Sequence, residues 1–178
     1  GGYNVRSPYV IRPVALAAPT QVSGSFNVTF GYPGAFTATA RGLIPAATTP
    51  GSVATGGSVD TAVTVPAGTS YARFSLFDTE VSQASDLDLE VYNSAGVLVG
   101  SSGGATTAEE VNLVNPAAGT YTVRVVGYQV PVGAANYTLF SWALDTTAAG
   151  NMTVTAPATA VVGQTGTIAI STSGLTSG

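Results

Sequence analysis

The stretch 85–99 limits what this chain can fold into more than any other. Over Asp86–Tyr92 apolar and acidic residues alternate: Leu87, Leu89 and Val91 are interleaved with Asp86, Asp88 and Glu90. Because successive strand side chains point to opposite faces, the pattern predicts a strand with one buried and one polar face. Turn-favouring residues follow at 93–96, and Val97, Leu98 and Val99 then resume the apolar run. The stretch therefore predicts a β-hairpin at the centre of a sandwich.

The rest of the chain consists of further short segments with strand character. They are 26–30, 35–40, 58–65, 71–77, 110–115, 120–126, 136–144, 152–157 and 165–170, with an edge strand or extended arm over 9–17. Turns rich in Gly and Pro, such as 31–34 and 66–68, separate many of them, and no helical period is present. The sequence predicts an all-β protein, an antiparallel jelly-roll β-sandwich flanked by partial immunoglobulin-like β units.

A change in composition suggests the domain boundaries. Residues 45–57 are rich in Ala, Thr, Gly and Pro, which is typical of a linker and places a boundary near 48–51. We expect a partial fibronectin- or immunoglobulin-like segment at 1–47 and the sandwich at 48–147. The start of a second, truncated immunoglobulin-like segment is expected at 148–178.

Charge excludes several classes of partner. All five basic residues are arginines and the formal net charge is -4. Such a chain lacks the basic patch that nucleic acid or an anionic membrane surface requires. No apolar run is long enough for a membrane-spanning helix, so we expect no membrane insertion. A surface with only 8% charged residues is typical of secreted β proteins, and the missing signal peptide favours a mature fragment of an extracellular protein.

The residue types present exclude most catalytic machinery. With no His and no Cys, neither a Ser-His-Asp triad nor a Cys-His pair can form. A carboxylate pair would need a cleft and one carboxyl of raised pKa, and the sequence shows no cleft. We therefore expect no catalysis by this chain.

The acidic face of the central strand is a candidate calcium site. Asp86 and Asp88 lie on one strand face near the acidic loop 78–80, and calcium is bound by carboxylate and carbonyl oxygens. The alternative is that these acids only solvate the outer face and discourage edge pairing.

Three other residue groups are candidate sites. Tyr128 and Tyr32 lie in loops, where each ring could stack on a sugar or peptide or pack over its own loop. Trp142 is expected in the core or against a flanking unit. Glycosylation triplets begin at Asn27, Asn136 and Asn151.

Several motifs together resemble a known family. The stretch Asp86–Tyr92, followed by Pro116-Ala117-Ala118-Gly119-Thr120-Tyr121-Thr122-Val123 and Asn136-Tyr137-Thr138-Leu139, resembles the bacterial pre-peptidase C-terminal domain. The segment Val5-Arg6-Ser7-Pro8-Tyr9-Val10-Ile11-Arg12-Pro13 is similar to the end of the fibronectin-type-III-like domain that follows the catalytic domain of subtilisin-like serine proteases.

The resemblance implies the C-terminal region of a secreted subtilase. Such a module is a non-catalytic jelly roll that acts in secretion, in folding or restraint of the enzyme, and in some relatives in substrate or calcium binding. Its partner would be the parent protease domain, and Asp86 and Asp88 match the family's paired aspartates.

Two other functions stay open. The chain could be a cleaved tail that assembles with itself into an extracellular filament or coat, because incomplete sheets at its two ends could complete one another between chains. It could also be a carbohydrate- or collagen-binding module that uses Tyr128, Tyr32 and the acidic face.

Overall fold

The computed structural model describes residues 23–175, which form two compact units. The larger unit is Ile44–Thr146, and the smaller one combines the segments that precede and follow it, up to Leu43 and from Thr147. In chain order the strands are β1 (Ser23–Thr29), β2 (Gly34–Ala35), β3 (Ala47–Ala54), β4 (Ser58–Val65), β5 (Tyr71–Leu76), β6 (Asp86–Tyr92), β7 (Leu98–Ser102), β8 (Glu109–Val114), β9 (Gly119–Gln129), β10 (Ala134–Leu144), β11 (Met152–Thr155), β12 (Thr159–Ala160) and β13 (Thr165–Thr172). A 3₁₀ turn at Asp78–Glu80 lies between β5 and β6.

The larger unit is an antiparallel β-sandwich, which confirms the predicted fold class. Its two four-stranded sheets have the strand orders β3-β10-β5-β8 and β4-β9-β6-β7. Both sheets contribute to one core, the first with residues such as Phe74 and Leu139, and the second with residues such as Leu89 and Val123. All four are at most 1% exposed. The jelly-roll description of the strand path stays a prediction.

The central hairpin has the predicted form. Strand β6 covers Asp86–Tyr92, and the apolar side chains Leu87, Leu89 and Val91 are fully buried. In the turn, the Asn93 side-chain oxygen accepts hydrogen bonds from the backbone N–H groups of Ala95 and Val97, both at 3.0 Å. Strand β7 then pairs antiparallel with β6. The alternation and the Asx-type turn together determine the hairpin.

The expected linker at 45–57 is wrong, because residues Ala47–Ala54 form strand β3. This strand pairs with β10 at one edge of its sheet, where a proline such as Pro50 is tolerated. Gly51 lies opposite Tyr137, and a Cβ on Gly51 would overlap the Tyr137 ring at Cζ. The glycine is therefore a packing requirement that makes room for an aromatic ring, rather than a sign of flexibility.

The smaller unit is assembled from both ends of the described chain. Strand β1 pairs antiparallel with β13 from Ser23 opposite Ser171 to Thr29 opposite Thr165. Strand β11 lies on the other side of β13, and β2 pairs with β12. Thus the two segments that the sequence treated separately, 1–47 and 148–178, contribute strands to common sheets. Their immunoglobulin-like identity stays a prediction.

Aromatic packing occupies the interior of the smaller unit. Phe30 is 6% exposed and meets Phe36 edge to face, with ring centroids 5.1 Å apart. Gly166 lies beneath the Phe30 ring, because an added Cβ would be 2.7 Å from Phe30 Cε2. The strand predicted over 35–40 is wrong beyond Ala35, since 36–40 lies outside any strand. The expected strand or arm over 9–17 falls outside the described residues.

The chain leaves and re-enters the smaller unit at adjacent points. The Leu43 N–H donates to Asn151 Oδ1 at 2.9 Å, and Asn151 Nδ2 donates to the Leu43 carbonyl oxygen at 3.0 Å. Next to this pair, the Ala149 N–H donates to the Arg41 carbonyl oxygen at 2.7 Å. The Asn151 side-chain amide thus bonds to the Leu43 backbone in the way that a neighbouring strand would. It links the two chain segments that connect the smaller unit to the sandwich.

Candidate functional site

Six acidic residues of the sandwich come from β6, the 3₁₀ turn before it and the start of β8. Asp86, Asp88 and Glu90 are half-buried on the outer face of β6, as the alternation predicts. Asp78 and Glu80 come from the 3₁₀ turn, and Glu109 begins β8. Asp78 and Asp86 line a cavity of about 630 Å³, together with residues that include Thr106, Gln129 and Pro131.

Two of these acids are bonded to the loop between β7 and β8. Asp78 Oδ1 accepts a hydrogen bond at 2.9 Å from the Thr107 N–H, and the Thr107 hydroxyl donates to the Ser85 carbonyl oxygen at 2.9 Å. Glu109 is 4% exposed and accepts hydrogen bonds from the Ser102 hydroxyl and the Gly104 N–H. These two carboxylates therefore hold the loop between β7 and β8 in place.

The two predicted calcium ligands have different surroundings. Asp86 Oδ1 is buried and has no hydrogen-bond partner. Burial raises the pKa of Asp88 above its usual value, and the nearby charges of Asp86, Glu109 and Glu90 raise this pKa further. The Asp88 carboxylate also lies close to Gly103, where an added Cβ would be 3.1 Å from Oδ1. A positive charge near Asp86 and Asp88 would offset both the desolvation cost of the Asp88 carboxylate and the repulsion between the two carboxylates.

The arrangement falls short of a ready-made metal centre. Within residues 23–175, no three acidic, His or Cys side chains are grouped so that they could hold a metal ion. A cation bound at Asp86 and Asp88 would therefore need backbone carbonyl oxygens and water as its other ligands, both of which calcium accepts.

The two candidate tyrosines lie in different units. Tyr128 is part of β9 rather than of a loop, and its side chain is 67% exposed. Tyr32 is half-buried, and its hydroxyl donates a long bond of 3.5 Å to the Ala35 carbonyl oxygen across its own turn. Tyr128 therefore has an accessible ring, whereas Tyr32 packs over the turn to which it belongs.

The three glycosylation triplets differ in how their asparagines are used. The Asn27 side-chain oxygen accepts a hydrogen bond from the Thr167 hydroxyl at 2.9 Å. The Asn151 amide is engaged on both sides by Leu43. Asn136 is exposed at the start of β10 and lines a second cleft. Asn136 is thus the asparagine of the three whose side chain is most accessible to modification.

A row of aromatic side chains on the outer face of β10 is the feature that sequence reasoning missed. Tyr137 and Leu139 belong to the core, so Phe140 and Trp142 point to the opposite face. Their rings are stacked, with centroids 6.2 Å apart and planes 20° apart, and Phe77 meets Phe140 edge to face at 5.1 Å. The alternation within 136–144 already put Phe140 and Trp142 on one face, but Trp142 was expected in the core or against a flanking unit. The core alternative is wrong, since Trp142 is half-buried and outside the core cluster. The contact with a flanking unit stays a prediction.

Polar side chains border this aromatic row. Arg73 lies opposite Trp142 on the neighbouring strand β5. Its guanidinium group donates to Asn112 Oδ1 at 2.8 Å, lies 3.6 Å from Glu110 Oε2 and stands over the Tyr71 ring at 5.7 Å. The outer face of this sheet thus combines aromatic rings with an ion pair, in which Arg73 and Glu110 neutralise each other's charge.

Within residues 23–175, no helix has the length and apolar character to cross a membrane.

Comparison with known proteins finds a similarity in the central part of the chain. No curated protein matches the sequence. Residues 51–127 match the model of one family, the bacterial pre-peptidase C-terminal domain. The matched stretch lies within the larger unit and includes β6, its neighbour β7 and most of its other neighbour, β9. The central sandwich is therefore similar to the bacterial pre-peptidase C-terminal domain.

Proposed function

We propose that this chain is a non-catalytic accessory region of a secreted subtilisin-like serine protease. It acts in secretion, in folding or restraint of the enzyme, or in contact with surfaces and substrates. The family match at residues 51–127 carries the proposal, because it falls within the compact sandwich Ile44–Thr146. The smaller unit would correspond to the fibronectin-like part of the same protease tail.

The chemistry of the chain supports a role without catalysis. The sequence contains neither His nor Cys, so this chain supplies no imidazole base and no thiol nucleophile. Asp78 and Glu109 support a loop through hydrogen bonds. Asp86 and Asp88 repel each other on one strand. We therefore assign the peptidase chemistry to another part of the parent protein.

The position of the sandwich suggests how it can be attached without disturbing its neighbour. Both connections leave the smaller unit where Leu43 is bonded to Asn151. Domain insertion is best tolerated at such surface points with nearby ends. The accessory sandwich can therefore be added or removed while the strands of the smaller unit stay paired.

Excision of the sandwich from the full-length secreted protein tests the proposal. Residues 44–146 are replaced by a short Gly-Ser linker between Leu43 and Thr147. We expect less enzyme in the culture medium, or weaker digestion of an insoluble protein substrate, with hydrolysis of a short soluble peptide unchanged. Equal yield and equal digestion of both substrates would contradict an accessory role.

Calcium binding at Asp86 and Asp88 is a second proposal, favoured by the buried, unpartnered Asp86 Oδ1. A bound cation would satisfy this oxygen and offset both the burial and the like-charge repulsion that raise the pKa of Asp88. We expect millimolar calcium to raise the thermal midpoint of the sandwich and a chelator to reverse the rise. The double variant Asp86→Asn/Asp88→Asn should lose the response, and an identical midpoint with calcium and with chelator would contradict the proposal.

Self-assembly into a filament stays a prediction. It was based on incomplete sheets at the two ends of the chain, but β1 and β13 pair with each other within one chain. Inter-chain addition would instead need a free edge of the sandwich, such as β7, where Leu98 is 49% exposed. Light scattering over a range of concentrations separates a monomer from a polymer.

A further inference from the structure

We propose that the outer face of β10 is a binding groove for a neutral polysaccharide chain. The groove consists of an aromatic strip, Phe77, Phe140 and Trp142, and a polar cleft that continues from it. The proposal deepens the accessory role, on which it rests, by naming a ligand class and the side chains that bind it.

The strip and the cleft are continuous along two segments of chain. On β10, Asn136 and Thr138 of the cleft precede Phe140 and Trp142 of the strip on the same strand face. After β5, Phe77 of the strip leads directly into the 3₁₀ turn whose Glu80 lines the cleft. The cleft has a volume of about 670 Å³. A single extended ligand can therefore contact both parts.

The aromatic strip offers an apolar surface on which sugar rings can pack. The Phe140 and Trp142 rings are stacked with planes that differ by only 20°, and both side chains are half-buried on the outer face of β10. Phe77 meets Phe140 edge to face and is 39% exposed. The C–H groups of a pyranose ring pack on such aromatic faces, which carry negative charge density.

The cleft supplies groups that recognise hydroxyls. Hydroxyl, amide and carboxylate side chains line it together with Pro50 and Val81: Ser52, Thr79, Glu80, Ser82, Asn136 and Thr138. Ligand sites commonly combine an apolar contact surface with a few convergent polar groups. The hydroxyl, amide and carboxylate groups can exchange hydrogen bonds with sugar hydroxyls, donating and accepting in the same small space.

Charge favours an uncharged polymer. Arg73, the cation beside the strip, is already bonded to Asn112 and paired with Glu110. Glu80 in the cleft and the net charge of -4 would repel an anionic polysaccharide. An extended peptide bound by strand addition would need an open sheet edge, whereas β10 has hydrogen-bonded neighbours, β3 and β5, on both sides. A neutral glycan fits these constraints best.

The chain contains a built-in probe of the groove. Trp142 is the single tryptophan among 178 residues, so its fluorescence reports on this strip alone. Titration of the whole chain with neutral hexasaccharides derived from cellulose, chitin, xylan and starch should shift the Trp142 emission. Pull-down on the corresponding insoluble polysaccharides should retain the chain on at least one of them.

Variants assign the binding to the groove. Trp142→Ala and Phe140→Ala should each weaken binding roughly tenfold, the loss expected for one aromatic contact. Tyr128→Ala, which removes an exposed ring from β9 of the other sheet, is the matched control and should bind like the wild type. Trp142→Tyr retains an aromatic face and should keep most of the affinity, and circular dichroism identifies any variant that does not fold.

Several results would overturn the proposal. These are no emission shift and no retention on any neutral polysaccharide, retention only on anionic polysaccharides or gelatin, or binding that depends on Tyr128 instead of Trp142. The accessory role fails separately, through the excision experiment on the parent protein, so either conclusion can fall without the other.

Discussion

Removal of the Leu89 side chain is the sharpest perturbation of the sandwich core. Leu89 is fully buried at the centre of β6, between Leu87 and Val91 on the core face, and lies opposite Val125 of β9. Leu→Ala at such sites costs about 2–5 kcal/mol, because apolar surface is lost and a cavity remains. For a domain of this size, we expect the thermal midpoint to fall by about 10 °C or more.

Scanning calorimetry of the whole chain tests this prediction. Because the chain forms two compact units, we expect two unfolding transitions, of which Leu89→Ala lowers only that of the larger unit. Val97→Ala in the adjacent turn is the control, since Val97 is 57% exposed and should change stability by less than about 0.5 kcal/mol. Ile168→Ala, at a buried position of β13, should lower the other transition.

Two results would refute the reasoning. If Leu89→Ala lowered both transitions equally, the two units would not unfold independently. If Leu89→Ala lowered the free energy of unfolding by less than about 1 kcal/mol, the surrounding side chains would be able to fill the space that Leu89 leaves. The burial of Leu89 would then contribute less to stability than we expect.

Three further predictions concern packing, pH and modification. Gly51→Ala should lower the free energy of unfolding by about 1–3 kcal/mol in a urea titration, because its Cβ would overlap the Tyr137 ring, and unchanged stability would contradict this packing. The raised pKa of Asp88 favours its neutral form in the folded state, so wild-type stability should fall as the pH rises from 3.8 through that pKa. Asp88→Asn should remove this fall and raise the thermal midpoint at pH 7. Thermal melts of both proteins across pH check this prediction. In a glycosylating host, mass spectrometry should find Asn151 unmodified, since its amide is bonded to Leu43 on both sides.

Much of the sandwich was predictable because its strands have strictly alternating patterns. The run Asp86–Tyr92 agrees residue for residue with β6, and 58–65 agrees with β4. In both cases one face is buried in a sandwich, so the register is determined by local sequence. Strand β3 was missed, because Ala47–Ala54 has little apolar alternation and contains Pro50 and Gly51. Its strand state depends on pairing with β10, a contact between distant residues that propensity cannot indicate.

The candidate sites were less predictable for a similar reason. The acidic face was visible from Asp86 and Asp88, but the structural roles of Asp78 and Glu109 depend on loop contacts with Thr107 and Gly104. The aromatic strip also depends on contacts between residues that are distant in the sequence. Phe77 directly follows β5, and the pairing of β5 with β10 brings it to Phe140.

The most direct test of the account is kcat/KM for a short soluble peptide, measured on the parent protein with and without residues 44–146. An accessory module predicts the same value for both forms, because the sandwich supplies no group to the reaction. A fall of more than about tenfold in correctly folded, excised enzyme, equivalent to more than about 1.4 kcal/mol of lost transition-state stabilisation, would contradict the central claim.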